Sequence, residues 1–207
     1  MQVAILRHLD YNNALPMKPK AWIALLAVYI VWGSTYLAIR FVVESMPPFF
    51  SAAARFLVAG GILYLWQRLA GNLAPTRLQW RSAAVVGIFL LLGGNGGVVW
   101  AEQRIPSGVA ALFIGATPLW MVLIDSLRPG GRNPGMLIWT GVLVGFSGIV
   151  LLAAPWEAGS SGALDPLGIA VLLFAALSWS IGSLYSRTAP LPEAPLMATG
   201  AEMLAGS

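Results

Sequence analysis

Six apolar runs of membrane-spanning length follow one another through this chain, at 21–39, 49–66, 82–99, 109–124, 136–153 and 167–185. A seventh starts near Pro195 and meets the end of the chain at Ser207. A helix that crosses a hydrocarbon core of about 30 Å needs roughly 20 mostly apolar residues. In lipid, every backbone N–H and C=O must find its partner inside the protein, so runs of this length have to be helical. The chain therefore reads as an all-α membrane protein, a polytopic helix bundle. Composition agrees, since 58% of the residues are apolar and 10% are charged, far below the roughly 25% charge of soluble domains. The connectors "ESMPP", "GNLAPTR", "EQRIPSG", "RPGGRNPG" and "PWEAGSSGALDP" carry the Pro and Gly of chain reversals.

The charges set an expected orientation. The formal charge is +4, but the cations are scattered through short loops. That distribution points to membrane topology and away from a nucleic-acid partner. With the N-terminus inside, inner loops hold Arg68, Arg77, Arg81, Arg128, Arg132 and Arg187, and outer loops hold only Arg40 and Arg104. The connector before the sixth run carries Glu157 and Asp165 and no cation. Residues 1–20 read as a cytoplasmic tail rather than a signal peptide, because the apolar run after Lys20 is too long and lacks a small-residue cleavage site. His8, the single histidine, reads as solvated within that tail. The absence of cysteine excludes disulfides and thiolate metal sites. No cofactor or metal is expected, and no phosphate-binding G-x-x-x-x-G-K-[ST] pattern occurs.

A shift of 147 residues lays the chain on itself. "WGSTYLAIR" falls on "WSIGSLYSR", pairing Trp32 with Trp179, Leu37 with Leu184 and Arg40 with Arg187. Pro48 then meets Pro195, and Leu57 meets Leu204. The matched pieces open runs one and six, then two and seven. Five spans per repeat is an odd number, which places the second copy upside down, the inverted build of many secondary transporters. The divisions expected are a tail over 1–20, a first five-helix repeat over 21–153, an extracytoplasmic linker over 154–166 and an incomplete second repeat over 167–207. Six complete spans and part of a seventh, out of ten, make the chain read as a C-terminally truncated form.

"VYIVWGSTYLAIRFVVESMPP", "RFLVAGG", "GNGGVVWAEQRIPSGVAALFIGATPLW" and "GVLVGFSGIVLL" resemble the first half of the EamA family of the drug/metabolite transporter superfamily. "LSWSIGSLYSR" and "GAEMLAG" resemble the opening of its second half. The resemblance implies a ten-helix inner-membrane carrier of two EamA repeats that exports small metabolites, amino acids or toxic compounds. Many EamA proteins carry an acidic "GE" after the fourth span, where this chain has "RPGGR".

Several residues are candidates for the transport path. Trp32, Tyr36 and Arg40 recur every four positions and share one helix face. Trp32 and Trp179 read either as cavity aromatics, suited to cations or flat apolar solutes, or as members of interfacial belts. Asn95, among four glycines, reads as a cavity residue or as helix-packing glue. Thr117 and Pro118 read as a static bend or as a hinge. Gly141, Gly145 and Gly148 read as a packing stripe. Arg55 lies near the middle of the second run, where a guanidinium is costly. By repeat register it falls on Glu202, itself a candidate proton site, and the two would bracket a wet cavity. The alternative is a structural arginine bonded to carbonyls or to Glu44.

The function expected is secondary transport of a small-molecule solute across a lipid bilayer by alternating access of two inverted repeats, with export favoured and a homodimer as one open assembly. A non-transporting scaffold or inactive fragment, a sugar-nucleotide or phosphate-ester carrier, and an intramembrane enzyme are the alternatives. The last lacks any nucleophile–base pair and ranks lowest, so the chain is not expected to be an enzyme. Cysteine labelling tests the orientation: Asn72→Cys should react only from the cytoplasmic side and Ser160→Cys only from the outside, and labelling of position 72 from outside would overturn it.

Overall fold

The computed structural model describes residues 19–128, 134–153 and 164–207. The tail with His8, and Arg132, Trp156, Glu157 and Ser160 in two connectors, lie outside the described residues. The order of elements is α1 (Pro19–Val43), α2 (Pro48–Leu69), α3 (Arg77–Gly87), a π-helical segment (Ile88–Gly96), α4 (Gly97–Ala101), α5 (Ser107–Ile114), α6 (Thr117–Leu127), α7 (Met136–Ala153), α8 (Pro166–Ser186) and α9 (Pro195–Gly206). Among the described residues, Ala21–Val43, Pro48–Leu69, Arg77–Ala101, Ser107–Leu127 and Pro166–Ser186 are long and apolar enough to cross a membrane, and Met136–Leu151 is a shorter apolar helix.

The third span starts five residues before the apolar run, and local chemistry explains the difference. Thr76 accepts from Gln79 N at 3.3 Å, and the Gln79 side chain accepts from Thr76 N at 2.8 Å. This reciprocal box satisfies two orphan donors and lets the polar turn "RLQW" join the helix. Before it, Gly71 turns the chain with φ +89°, a backbone region where a side chain is strained. Prolines open α2, α8 and α9 in their first turns, where an absent N–H costs nothing.

The chain divides within α1 into two compact units, Met1–Thr35 and Tyr36–Ser207. In the first, the helix carries exposed apolar side chains, and Ser34 and Thr35 hydroxyls donate back to the Val31 carbonyl at 3.0 and 2.8 Å. In the second, a core of Tyr36, Phe56, Val99, Ile105, Phe113 and Leu172 is buried between α2, α4, α5 and α8. Here α8 is the central element: it packs against α3, the π segment, α4, α5 and α6.

The short helix α9 lies against both α2 and α3, and glycines permit it. A Cβ at Gly60 would stand 2.7 Å from Met203 Cβ, and one at Gly87 would stand 2.7 Å from the Glu202 carbonyl oxygen and 2.9 Å from Gly206 Cα. Backbone meets backbone at Gly87, so nothing can yield by a rotamer change. Gly87→Ala should therefore destabilise the chain by about 1–3 kcal/mol in detergent unfolding. Gly61→Ala, where no atom lies within 4 Å, should be neutral or gain up to about 1 kcal/mol. Equal stability of the two variants would show that α9 does not seat on α3 as described.

Candidate functional site

The stretch "IFLLLGGNGG" supplies bulk on its first half and almost none on its second. The backbone there widens into nine residues of π-helix, a form that is rare beyond a single turn and recurs at functional sites. The glycines bring it onto α8. A Cβ at Gly93 would collide with the Ser178 hydroxyl, one at Gly94 would stand 3.0 Å from the Trp179 ring, and one at Gly97 would stand 3.0 Å from Ala175 Cβ. In return, Gly182 of α8 leaves the space that Leu90 and Phe89 fill. Side chains serve the carbonyls of the widened turn: Ser178 Oγ donates to Phe89 O at 2.7 Å, and Asn95 Nδ2 donates to Leu90 O at 3.1 Å.

A second interruption faces α8 from the other side. The span Ser107–Leu127 stops at Ile114 and restarts at Thr117. Pro118 has no N–H to give the carbonyl four residues earlier, that of Ile114. Thr117 Oγ1 replaces it, donating to Ile114 O at 2.7 Å. Ser180 Oγ on α8 lies 3.0 Å from the Thr117 carbonyl and 2.8 Å from the Ala176 carbonyl. Of the two readings of Thr117–Pro118, bend or hinge, the arrangement is a full break in the helix, whose freed Ile114 carbonyl is met by the Thr117 hydroxyl.

Phe89, Gly93 and Gly94 of the π segment and the Thr117 carbonyl thus meet one stretch of α8, Ser178–Ser180, which carries Trp179, while the Asn95 amide is bonded within the π segment, to Leu90 O. The other candidates lie elsewhere. Tyr36 is buried in the core, and Trp32 sits exposed in the first unit. Arg55 is on the exposed side of α2 with its guanidinium 4.6 Å from the Phe56 ring centroid. Glu202 is half-buried in α9, and no ion pair joins it to Arg55 among the described residues. Glu44, the alternative partner considered for Arg55, pairs instead with Arg40 at 3.4 Å, one helical turn away. Of the glycine stripe, only Gly145 meets a neighbour, Leu119, at 2.7 Å, while Gly141 and Gly148 have no atom within 4 Å of a Cβ. Gly145 and Gly148 line an open, largely apolar cleft of about 450 Å³ with Leu112, Leu119 and Ile149.

Sequence reasoning missed Glu102. It looks like an interfacial residue after the apolar run, yet it caps α4 and is completely buried, with both carboxylate oxygens lacking a hydrogen-bond partner. The turn after it explains this. Ile105 is fully buried against Gly168 of α8, 2.6 Å from where its Cβ would be. Arg104 pairs with Asp165 at 3.2 Å and covers the Trp100 ring at 4.7 Å. Arg40 Nη1 donates to the Glu102 backbone carbonyl at 2.6 Å. The turn is tied to α8 and α1, and Glu102 is drawn in beneath it. A weak signal was available, since "AEQRIP" sets an acid one residue before a Gln-Arg pair and a proline-marked reversal.

Long apolar helices, two of them interrupted and repaired by side-chain donors, define a polytopic helical membrane protein. The chain belongs to the EamA-like transporter family, which matches residues 19–154. It is 39% identical to an uncharacterized inner membrane transporter of Escherichia coli (strain K12), YedA, over 88% of this chain and 58% of that protein. It is 29% identical to a chloroplastic WAT1-related protein of Arabidopsis thaliana, over 89% of this chain and 45% of that protein. It is 26% identical to a probable amino-acid metabolite efflux pump of Escherichia coli (strain K12), over 83% of this chain and 54% of that protein. The chain therefore spans about half the length of these relatives, 45–58%. No solved structure matches it.

The seam between the π segment and α8 can be tested by a double-mutant cycle. Gly93→Ala should cost about 1–3 kcal/mol through collision with the Ser178 hydroxyl. Ser178→Ala should cost about 0.5–1.5 kcal/mol by removing the hydroxyl bond to the Phe89 carbonyl. The double variant should lose at least about 1 kcal/mol less than the sum, because the collision is gone. Strict additivity in detergent unfolding would overturn the seam.

Proposed function

We propose that this protein is a secondary carrier of small organic solutes, amino acids and related metabolites among them, acting outward across the bacterial inner membrane. The single observation that carries this reading is the convergence of one π-widened helix and one proline-broken helix of an EamA-family chain on one stretch of α8. Discontinuous helices with exposed backbone polar groups are how secondary transporters build a polar site at membrane depth. Here Trp179 lies over Gly94, the residue next to Asn95 in the π segment, and in this reading the two offer an aromatic face and an amide to the solute. An amide orients a polar head group, and an indole holds an ammonium or a flat apolar surface.

In this reading the tail is cytoplasmic, the second repeat is inverted relative to the first, and Trp32 is the counterpart of Trp179. Arg55, with no ion-pair partner among the described residues, meets a solute carboxylate, and Glu202 flanks the path in the other half. Transport rests on a gradient. The relation to an amino-acid metabolite efflux pump supports amino acids as the first solutes to try.

The test is uptake of labelled neutral amino acids by liposomes carrying the purified chain, against empty liposomes. At least one solute should enter faster. Trp179→Ala should then raise its KM about tenfold, equivalent to ~1.4 kcal/mol of lost binding, and Asn95→Leu should do likewise. Absence of flux for every solute, or unchanged KM in both variants, would overturn this reading.

A further inference from the structure

We propose that Glu102 is a proton-binding site, taking one proton from water at the α4–α5 end of the bundle and returning it there, and that loss of this proton loosens the turn that Arg40 holds. The step balances simply: a hydronium ion protonates one carboxylate oxygen and leaves as water, and the reverse restores it. Coupling of this step to solute movement rests on the carrier reading above; the proton site itself does not.

The geometry leaves the carboxylate without the usual compensation. An ionised carboxylate out of water needs a paired charge or several hydrogen bonds. Glu102 has neither: it is 0% exposed, and neither oxygen has a hydrogen-bond partner among the described residues. It caps the C-terminal end of a continuous helical span, where the carbonyl dipoles disfavour a negative charge.

The charged and titratable groups on the elements around it are mostly engaged elsewhere. From α1 come Tyr36, Arg40 and Glu44, and Arg40 directs one nitrogen to the backbone carbonyl of Glu102 and another to Glu44. From the same turn comes Arg104 and from α8 comes Asp165, and these two hold one another at 3.2 Å. The cations of α2 are Arg55, over Phe56, and Arg68, which donates to the Asn72 carbonyl. The π segment and α5 carry no titratable side chain. Among the described residues, Arg40 is thus the one cation acting on the carboxylate, from a position fixed by other partners.

Burial pushes the Glu102 carboxyl up to about 7, with Arg40 opposing the rise. The sign follows directly. The ordinary value is 4.5, so between there and about 7 the folded chain binds the proton that the unfolded chain has released. Folded-state stability therefore falls as pH rises through this window. Relief comes from exposing the carboxylate, and the segment that must move is the turn over residues 102–106, latched by Arg40 and by the Arg104–Asp165 pair. Protonation keeps the turn in, and deprotonation favours its release. That is a two-state element biased by one proton, as coupling requires.

The experiment is a pH titration of the purified 207-residue chain in lipid, followed by infrared spectroscopy of protonated carboxyl groups, with the proton as the only ligand. The wild type should show one carboxyl titrating near neutrality, absent in Glu102→Gln and retained in Glu44→Gln and Glu202→Gln. Arg40→Gln should move the midpoint upward by at least about one unit, since the opposing charge is gone. A wild-type chain with no carboxyl titrating above about pH 5.5, or a neutral-range carboxyl signal undiminished in Glu102→Gln, overturns the site whether or not the other variants fold. In amino-acid-loaded liposomes given a pH step, wild-type flux should respond to the step by at least about threefold, and Glu102→Gln should carry solute with no response. Unchanged pH response in Glu102→Gln overturns the coupling alone. Absence of wild-type flux overturns the carrier reading and the coupling with it, while the infrared titration still decides the proton site.

Discussion

The structure depends on keeping backbone carbonyls satisfied where helices are not regular. Water is absent from a bilayer core, so a carbonyl released by a widened turn or a proline needs a donor from the protein. Ser178 serves Phe89, Asn95 serves Leu90, Thr117 serves Ile114 and Ser180 lies against Thr117. Two of the four donors come from α8, which explains why that helix is small and hydroxylated along the face it turns to its neighbours. Ala175, Ala176, Ser178, Ser180 and Gly182 are all buried there. In a soluble protein such a face would bury too little apolar area to hold helices together. In lipid, close approach and hydrogen bonds are the available attractions, and small residues maximise both.

The same economy of donors makes Glu102 stand out. Interrupted backbone at membrane depth is repaired, side chain by side chain, yet a carboxyl group at the end of α4 is enclosed with nothing to hold it. Its own backbone carbonyl takes the nearby guanidinium. A buried polar group without a partner is rare enough in native structures to need an explanation, and occupancy by a proton supplies one. The seam at α8 and the turn at Glu102 are connected by one continuous helical span, Arg77–Ala101.

Arg55 illustrates how a correct physical premise leaves the outcome open. A guanidinium in the middle of an apolar run must avoid bare lipid, and the expectation was a wet cavity or a partner near Glu44. Glu44 is engaged by Arg40 at 3.4 Å, one turn earlier in the chain. Arg55 lies over its neighbour's ring instead. The Gly141–Gly148 stripe is similar: its spacing defines a packing face, but among the described residues only Gly145 is met by a side chain.

The helical class, the membrane environment, the approximate spans and the family were legible in the sequence. Each rests on length, hydropathy and turn residues, which are local or summed properties and need no knowledge of neighbours. Asn95, Trp179 and Thr117–Pro118 could be singled out one at a time, because an amide, an indole and a proline inside an apolar run are each anomalous alone. The meeting of the π segment and the Thr117 break on Ser178–Ser180 could not be read, since it depends on which face of α8 turns toward which helix. Nor could the burial of Glu102: on paper it is an acid at the end of a span, followed by polar residues. Only the docking of Ile105 against Gly168, and of Arg104 on Asp165, folds that turn back over it. Those contacts join residues more than sixty positions apart, and a carboxylate's solvation is decided by what covers it rather than by what flanks it in the chain.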